Sequence, residues 1–519
     1  MKQHNNIIIV GSGLAALSTA ARLTELGKQD ISIYALGDGA TPYIAAINFV
    51  LEDNPYNDTP KQYAEDMMNA GYNINNRILV DLMCNSTVEG YQLLKRWGVK
   101  FATEKDKSIK LRHASGSTYP RSLCLTTRLI GEEMINKLTK GLIEQGIEFH
   151  TGCECLKILV KNNKVHGITI KNAEGQIQNV YAPIVIAAWG GVGNLFYDST
   201  YPNDICGRTI AIAYEAGAQL VDMEFLEYEP MVVISPDSAK GEPCPTAMLG
   251  EGAYLLNSDM ERFILNDRPQ GEAGAPKTFL NKSIWHQIQI GKGSSNGGVY
   301  VDLRHIPKQT LQSYPWFYNR MVSAGVDPSE ELIEVGPMAH SLSGGILVDE
   351  NLQSSIEGLY AVGEAAGSFH GACRLGGNAA SQAVLTGLLC AEAIAKEEDI
   401  YISEDDFSML IDYRVNKKVY EKYVPQIKKL ASKGLGILRN GKDLAEAQKT
   451  LQEMLLDFQL RSDTATYQTA LSAFIMVTAA LERKESRGCH IRADYPHMDK
   501  GFEKQIILSK LPNGEISIS

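Results

Sequence analysis

The plainest chemistry lies where Ile7-Ile8-Ile9-Val10 runs into Gly11-Ser12-Gly13-Leu14-Ala15-Ala16. Four β-branched residues without a charge suit a central strand of a parallel sheet. Gly11 permits a tight turn, and Gly13 lets the backbone approach a pyrophosphate. Ala16 is small enough for a helix to pack closely on the strand. The helix start then offers unpaired N–H groups and a positive dipole end to phosphates. The motif implies a dinucleotide without saying which. An NAD site carries an acidic residue about 20 residues on, at the end of the second strand. Here the strand expected over residues 30–34 ends in Ala35-Leu36, and Asp38 reads as a turn former. FAD and NAD both stay open on this motif. Two later stretches repeat the strand-to-glycine pattern, at residues 182–193 (Trp189-Gly190-Gly191) and 358–367 (Gly363-Glu364-Ala365). A strand ending in Gly-Glu can set a carboxylate, Glu364, beside a second polar group of the same cofactor.

The elements that must position these residues read as an α/β chain. Its 519 residues hold two to four domains with a large core. A net charge of −11 without a long basic block excludes nucleic acid as a partner. No uninterrupted apolar run reaches the roughly 18 residues of a membrane helix, so no membrane segment is expected. The polar start at residues 1–6 is too short for a signal peptide. Nine scattered cysteines suggest reduced thiols and a cytoplasmic setting. Helical patterns occupy residues 60–100, 128–146 and 443–460. Strands are expected at 148–150, 156–160 and 164–171, with Asn162-Asn163 as the turn. Between about 235 and 335, Pro236, Pro243, Pro245, Pro269 and Pro276 punctuate short elements with many glycines, which marks an inserted domain.

Several units together resemble one family. They are GSGLAA (11–16), Ala188-Trp189-Gly190-Gly191, Gly250-Glu251-Gly252, Tyr360-Ala361-Val362-Gly363-Glu364-Ala365, HGACRLGGN (370–378) and RKESRG (483–488). The chain resembles the flavoproteins of succinate dehydrogenase, fumarate reductase and L-aspartate oxidase over nearly its whole length, and L-aspartate oxidase most. The resemblance implies an FAD-dependent oxidoreductase. It implies a Rossmann-like FAD-binding domain (1–234 and 336–398), an inserted α+β capping domain (235–335) and a C-terminal helical domain (399–519). It also implies that Gly11, Ser12, Gly13, Ala15 and Ala16 hold the pyrophosphate and that Glu364 binds ribose. Gly190, Gly191 and Asn378 lie against the cofactor in that family. Respiratory members tether the flavin to a histidine near the N-terminal loop. No histidine occurs here between His4 and His113, so non-covalent FAD is expected and no metal.

The same resemblance implies hydride transfer between flavin and a carbon next to a carboxylate. Arg374 matches the family's carboxylate-binding arginine, and His340 its substrate-binding histidine. Guanidinium suits the clamp because its fork matches a carboxylate. Three positions depart. Lys277 replaces the proton-shuttling arginine; lysine can pass a proton but cannot copy the fork. Glu229 replaces a histidine before Pro230, and Pro245-Thr246 replaces a Thr-Glu pair. The subsite for a second carboxylate has thus lost its positive partner. An amino acid with its ammonium near Glu229, or a monocarboxylate with a polar tail, fits these charges. Two alternatives stay in view. One is reduction of an unsaturated carboxylate fed by a separate electron-transfer protein, since no cysteine cluster suits an iron–sulfur centre. The other is a flavin-binding protein that has lost turnover.

Overall fold

The computed structural model describes residues 6–114, 116–397 and 411–519. The domain boundary expected between 398 and 399 lies outside the described residues. Five parallel strands form the central sheet, in the order Leu359–Ala361, Ile184–Ala187, Ile7–Val10, Ile31–Ala35, Glu148–Thr151. Ile7 stands opposite both Ile31 and Ile184, so the first strand is central. Ile8 and Ile9 are fully buried, as a continuous apolar run in a sheet covered on both faces requires. Helices Leu14–Glu25 and Asn378–Ile394 cover one side, each presenting small residues to its neighbours. The expected hairpin is present as Glu154–Lys161 and Lys164–Lys171. Its turn residues Asn162 and Asn163 have φ of 54° and 58°, the left-handed pair of a two-residue β turn that asparagine tolerates.

A second sheet is antiparallel, in the order Leu226–Ser235, Ile333–Leu342, Val299–Asp302, Tyr254–Leu256. It carries its own apolar core, with Met248, Leu255, Ile284, Phe317 and Val335 among its members. Leu226–Ser235 starts beside the nucleotide fold and Ile333–Leu342 returns to it, Leu226 standing opposite Leu342. The candidate site sits at that end of the pair.

Helices Lys417–Gly434, Gly441–Leu456 and Thr464–Glu482 pack together near the C-terminus. The helix expected over 443–460 starts earlier, where the Asn440 side chain accepts the Asp443 amide at 2.8 Å. It stops earlier too, because Asp457 turns extended (φ −67°, ψ 119°) and Leu460 begins a separate short turn. Thr464–Glu482 is long and apolar enough to cross a membrane by length and composition alone, although polar residues interrupt its apolar run. It is the central helix of this bundle, and 72% of its apolar window is buried inside the fold. The last strands, Ile507–Lys510 and Ile516–Ile518, pair back toward Leu220–Val221 in the body.

The RKESRG segment is a buried ionic clasp. Arg483 is fully enclosed and bonds Glu224 at 2.6 Å and Glu485 at 2.9 Å. Arg487 bonds both oxygens of Glu485, at 2.7 and 3.0 Å, and reaches Tyr72 O at 3.3 Å. Breaking such a buried pair by removing one partner costs about 3–5 kcal/mol. The clasp ties the C-terminal segment to the start of the Leu226–Ser235 strand.

Candidate active site

The first cleft opens at the carboxyl ends of the parallel strands, where α/β sheets bind nucleotides. Gly11, Ser12, Gly13, Ala15, Gly190 and Glu364 line it. Leu17 is the first residue whose amide closes a helical bond, onto Gly13 O at 3.0 Å, while Thr41 Oγ1 caps the Leu14 amide at 2.8 Å. Among the described residues this leaves the Ala15 and Ala16 amides for a ligand, as a phosphate cradle requires. Ser12 Oγ is spent on Gly37 O at 2.9 Å, so its side chain shapes the loop. Ala16 is fully buried against the strand. Asn378 begins the second covering helix. Its Oδ1 accepts from Asn48 at 2.7 Å and from Tyr63 at 2.8 Å, while its buried Nδ2 finds no partner among the described residues. Free helix amides and the lack of an acid at the very end of the second strand fit FAD, while Asn378 and Gly191 are not among the residues that line the cleft. Gly191 abuts Glu364. The Glu364 carboxylate accepts the Leu342 amide at 2.9 Å and the Tyr201 hydroxyl, against a burial that pushes its pKa up.

The second cavity lies at the base of the long antiparallel strands, with Glu227, Lys277 and Arg374 on its wall. Arg374 is held on a loop fixed from behind. His370 Nε2 shares a bond with Gln382 at 2.8 Å, and Asn75 donates to Phe369 O at 3.0 Å. The arginine meets Glu227, a residue outside every motif that the sequence offers. The Arg374 amide donates to Glu227 Oε1 at 2.5 Å, and its Nη2 to Oε2 at 3.1 Å. Ser341 Oγ, opposite Glu227 across the ladder, bonds the same carboxylate at 3.0 Å. Burial pushes Glu227 up, but Arg374 and then Lys277 outweigh it and hold the carboxyl below its usual range. The one signal in the sequence is spacing: Glu227 and Glu229 are two apart on a strand and share a face.

Lys277 is the first residue of helix Lys277–Gln289, which Asn281 anchors by donating to Tyr228 O at 2.7 Å. A cation at a helix N-terminus opposes the dipole by roughly 0.3–1 kcal/mol, so a local partner must hold it there. That partner is Glu229, whose carboxylate the Lys277 ammonium contacts directly. His340 completes the group. Its Nε2 lies 3.9 Å from Glu229 Oε2, and its Nδ1 shares a 2.8 Å bond with Thr200 Oγ1. The structure therefore brings Lys277, Glu229 and His340 together, with Arg374 and Glu227 alongside. Each cation faces a carboxylate.

Burial first, and then the cations Lys277 and Arg374, lower the pKa of His340 to about 3. Burial and Arg374 lower His370 to about 4. Both imidazoles are neutral in the folded protein at neutral pH, against an ordinary value of 6.5. Below that value the unfolded chain takes up protons that the folded chain refuses. Stability is therefore full above about pH 6.5 and drains as the pH falls toward 4, by roughly 1.4 kcal/mol per pH unit for each histidine. Urea midpoints should be clearly lower at about pH 5 than at about pH 7.5, and equal midpoints would contradict neutral burial.

A family model described as FAD binding domain matches residues 6–380, and one described as fumarate reductase flavoprotein C-term matches residues 464–518. The chain is 31% identical over 502 residues to the L-aspartate oxidase of Pyrococcus abyssi, covering 96% of this chain and 97% of that protein. It is 28% identical over 549 residues to a fumarate reductase (CoM/CoB) chain of Methanothermobacter marburgensis, covering 97% of each. Among solved structures, an E. coli quinol fumarate reductase chain superposes with a TM-score of 0.86 at 24% identity, covering 99% of this chain and 96% of that one.

Proposed function

The chain belongs to the succinate dehydrogenase/fumarate reductase family of FAD-dependent oxidoreductases, and on that premise we propose that it oxidises a small amino acid. The observation that carries this reading is the charge pattern of the cavity. Arg374 faces Glu227, and Lys277 faces Glu229. Two cations opposed by two carboxylates suit a zwitterion better than a dicarboxylate, which would need both cations free.

Bound FAD supplies the two-electron acceptor, and nothing in the N-terminal loop offers it a histidine tether. Arg374 receives the substrate carboxylate. Its Nη1 makes only a 3.5 Å contact to Leu375 O among the described residues, so N–H groups remain for the ligand while Glu227 fixes the fork. Glu229 faces the ammonium and accepts a proton from it, and Lys277 steadies the carboxylate charge. Neutral His340, braced by Thr200, adds a hydrogen-bonding edge without adding charge. The nine free thiols support a reducing, cytoplasmic setting.

A second reading rests on the fumarate reductase (CoM/CoB) relative: reduction of an unsaturated carboxylate with electrons from a partner protein. One anaerobic experiment separates the two. Mixing holoenzyme with a panel of L-amino acids should bleach the flavin absorbance, and oxygen should restore it. A flavin that no amino acid bleaches, but that fumarate reoxidises after chemical reduction, would establish the second reading instead.

A further inference from the structure

Cys373 lies within the HGACRLGGN segment, and Cys489 follows directly after RKESRG. The fold sets both on the wall of the substrate cavity. Their backbones are locked side by side, the Cys489 amide donating to Ala372 O at 2.9 Å. Gly488 makes that approach possible: its φ is +55°, and a Cβ there would fall 2.2 Å from Ala372 O. The ionic clasp of Arg487 and Glu485 fixes the same segment from behind. The sulfurs of Cys373 and Cys489 and a carboxylate oxygen of Glu227 all lie within 4.8 Å of one another.

We propose that this trio binds a thiophilic divalent d10 cation, of which zinc is the common biological example, on the cavity wall. Metal–sulfur bonds of about 2.3 Å at the tetrahedral angle set two sulfurs about 3.8 Å apart. Closing from the present spacing asks the two sulfurs to approach by about 1 Å or less and each sulfur–oxygen pair by about 1.3 Å or less. Glu227 keeps capacity for the metal. It accepts three bonds, from the Arg374 amide, Arg374 Nη2 and Ser341, and a carboxylate has about four acceptor positions. Two thiols lose their protons to solvent as two metal–sulfur bonds form, and no electron moves. Three protein ligands leave a fourth corner open to the cavity, the pattern of a reactive site rather than a sealed structural one. The trio stands on geometry alone and does not depend on which acid the enzyme oxidises.

Cadmium is the probe. Holoenzyme, reduced and desalted without air, is titrated with Cd²⁺ alone while the ultraviolet thiolate-to-cadmium charge-transfer band is followed. The band should saturate at one equivalent. Cys489→Ser should abolish it, and so should Cys373→Ser. Glu227→Gln should weaken binding at least about tenfold. Retained flavin absorbance verifies that each variant is folded, and Cys489→Ala serves where the serine variant loses its flavin. A band of unchanged size and stoichiometry in the folded cysteine variants overturns the proposal, as does reduced wild-type protein that shows no band.

Discussion

Arg374→Gln should lower kcat/KM, for whichever amino acid bleaches the flavin, by about a thousandfold, or ~4 kcal/mol. Glutamine cannot present the charged fork that a carboxylate needs. The substitution also strands Glu227, whose side chain is only 6% exposed. An uncompensated buried charge costs about 3–5 kcal/mol, so the urea midpoint should fall as well. The double variant Arg374→Gln/Glu227→Gln separates the two roles. Removing the stranded charge should restore most of the stability and none of the turnover. If the single variant stays within tenfold of wild type, the substrate carboxylate is held elsewhere.

Gly11→Val should yield a protein that purifies without flavin. Gly11 has φ +117°, and any Cβ there would stand 2.3 Å from Ala188 O and 2.8 Å from Ala188 C. Both obstacles are backbone of the neighbouring sheet strand's loop, so no side-chain rotation relieves them. Backbone strain of about 1–3 kcal/mol and overpacking of about 1–3 kcal/mol fall where the phosphates must approach. Affinity for added FAD should drop at least about a hundredfold, equivalent to ~2.7 kcal/mol. Fluorescence of free against bound flavin measures it. Retained flavin at wild-type affinity would show that the turn yields without loss.

Much of the nucleotide fold was legible because its signals are local. Residues 7–10 declare a buried strand by an unbroken β-branched run, and Asn162-Asn163 declare a tight turn. Helix ends were harder. Apolar spacing continues through Leu460, yet the helix stops where Asp457 takes extended angles. Thr464–Glu482 hid its apolar character because polar residues interrupt it. Buried partners absorb them: Gln468 donates to Leu156 O at 3.0 Å, and Ser472 accepts the Ala211 amide at 3.2 Å. The site divides the same way. Glu229, Lys277, His340 and Arg374 could each be located one by one against family motifs. The Arg374–Glu227 pair spans 147 residues of chain, and no local pattern announces it. Only the meeting of the 370s loop with the antiparallel strand creates it.

The second cavity is walled by residues from the 69–72, 226–228, 276–281, 373–376 and 489–491 segments together with Gly116 and Ile437, and the 489–491 segment follows directly on the Arg487–Glu485 clasp. A nascent chain leaving the ribosome can complete its five-stranded sheet once residue 361 has emerged, well before that final wall exists. The cofactor cleft, whose lining ends at Ala383, is likewise complete before Cys489 and Ile491 close the second cavity. Order of synthesis thus leaves this wall to form only after residues 489–491 have emerged.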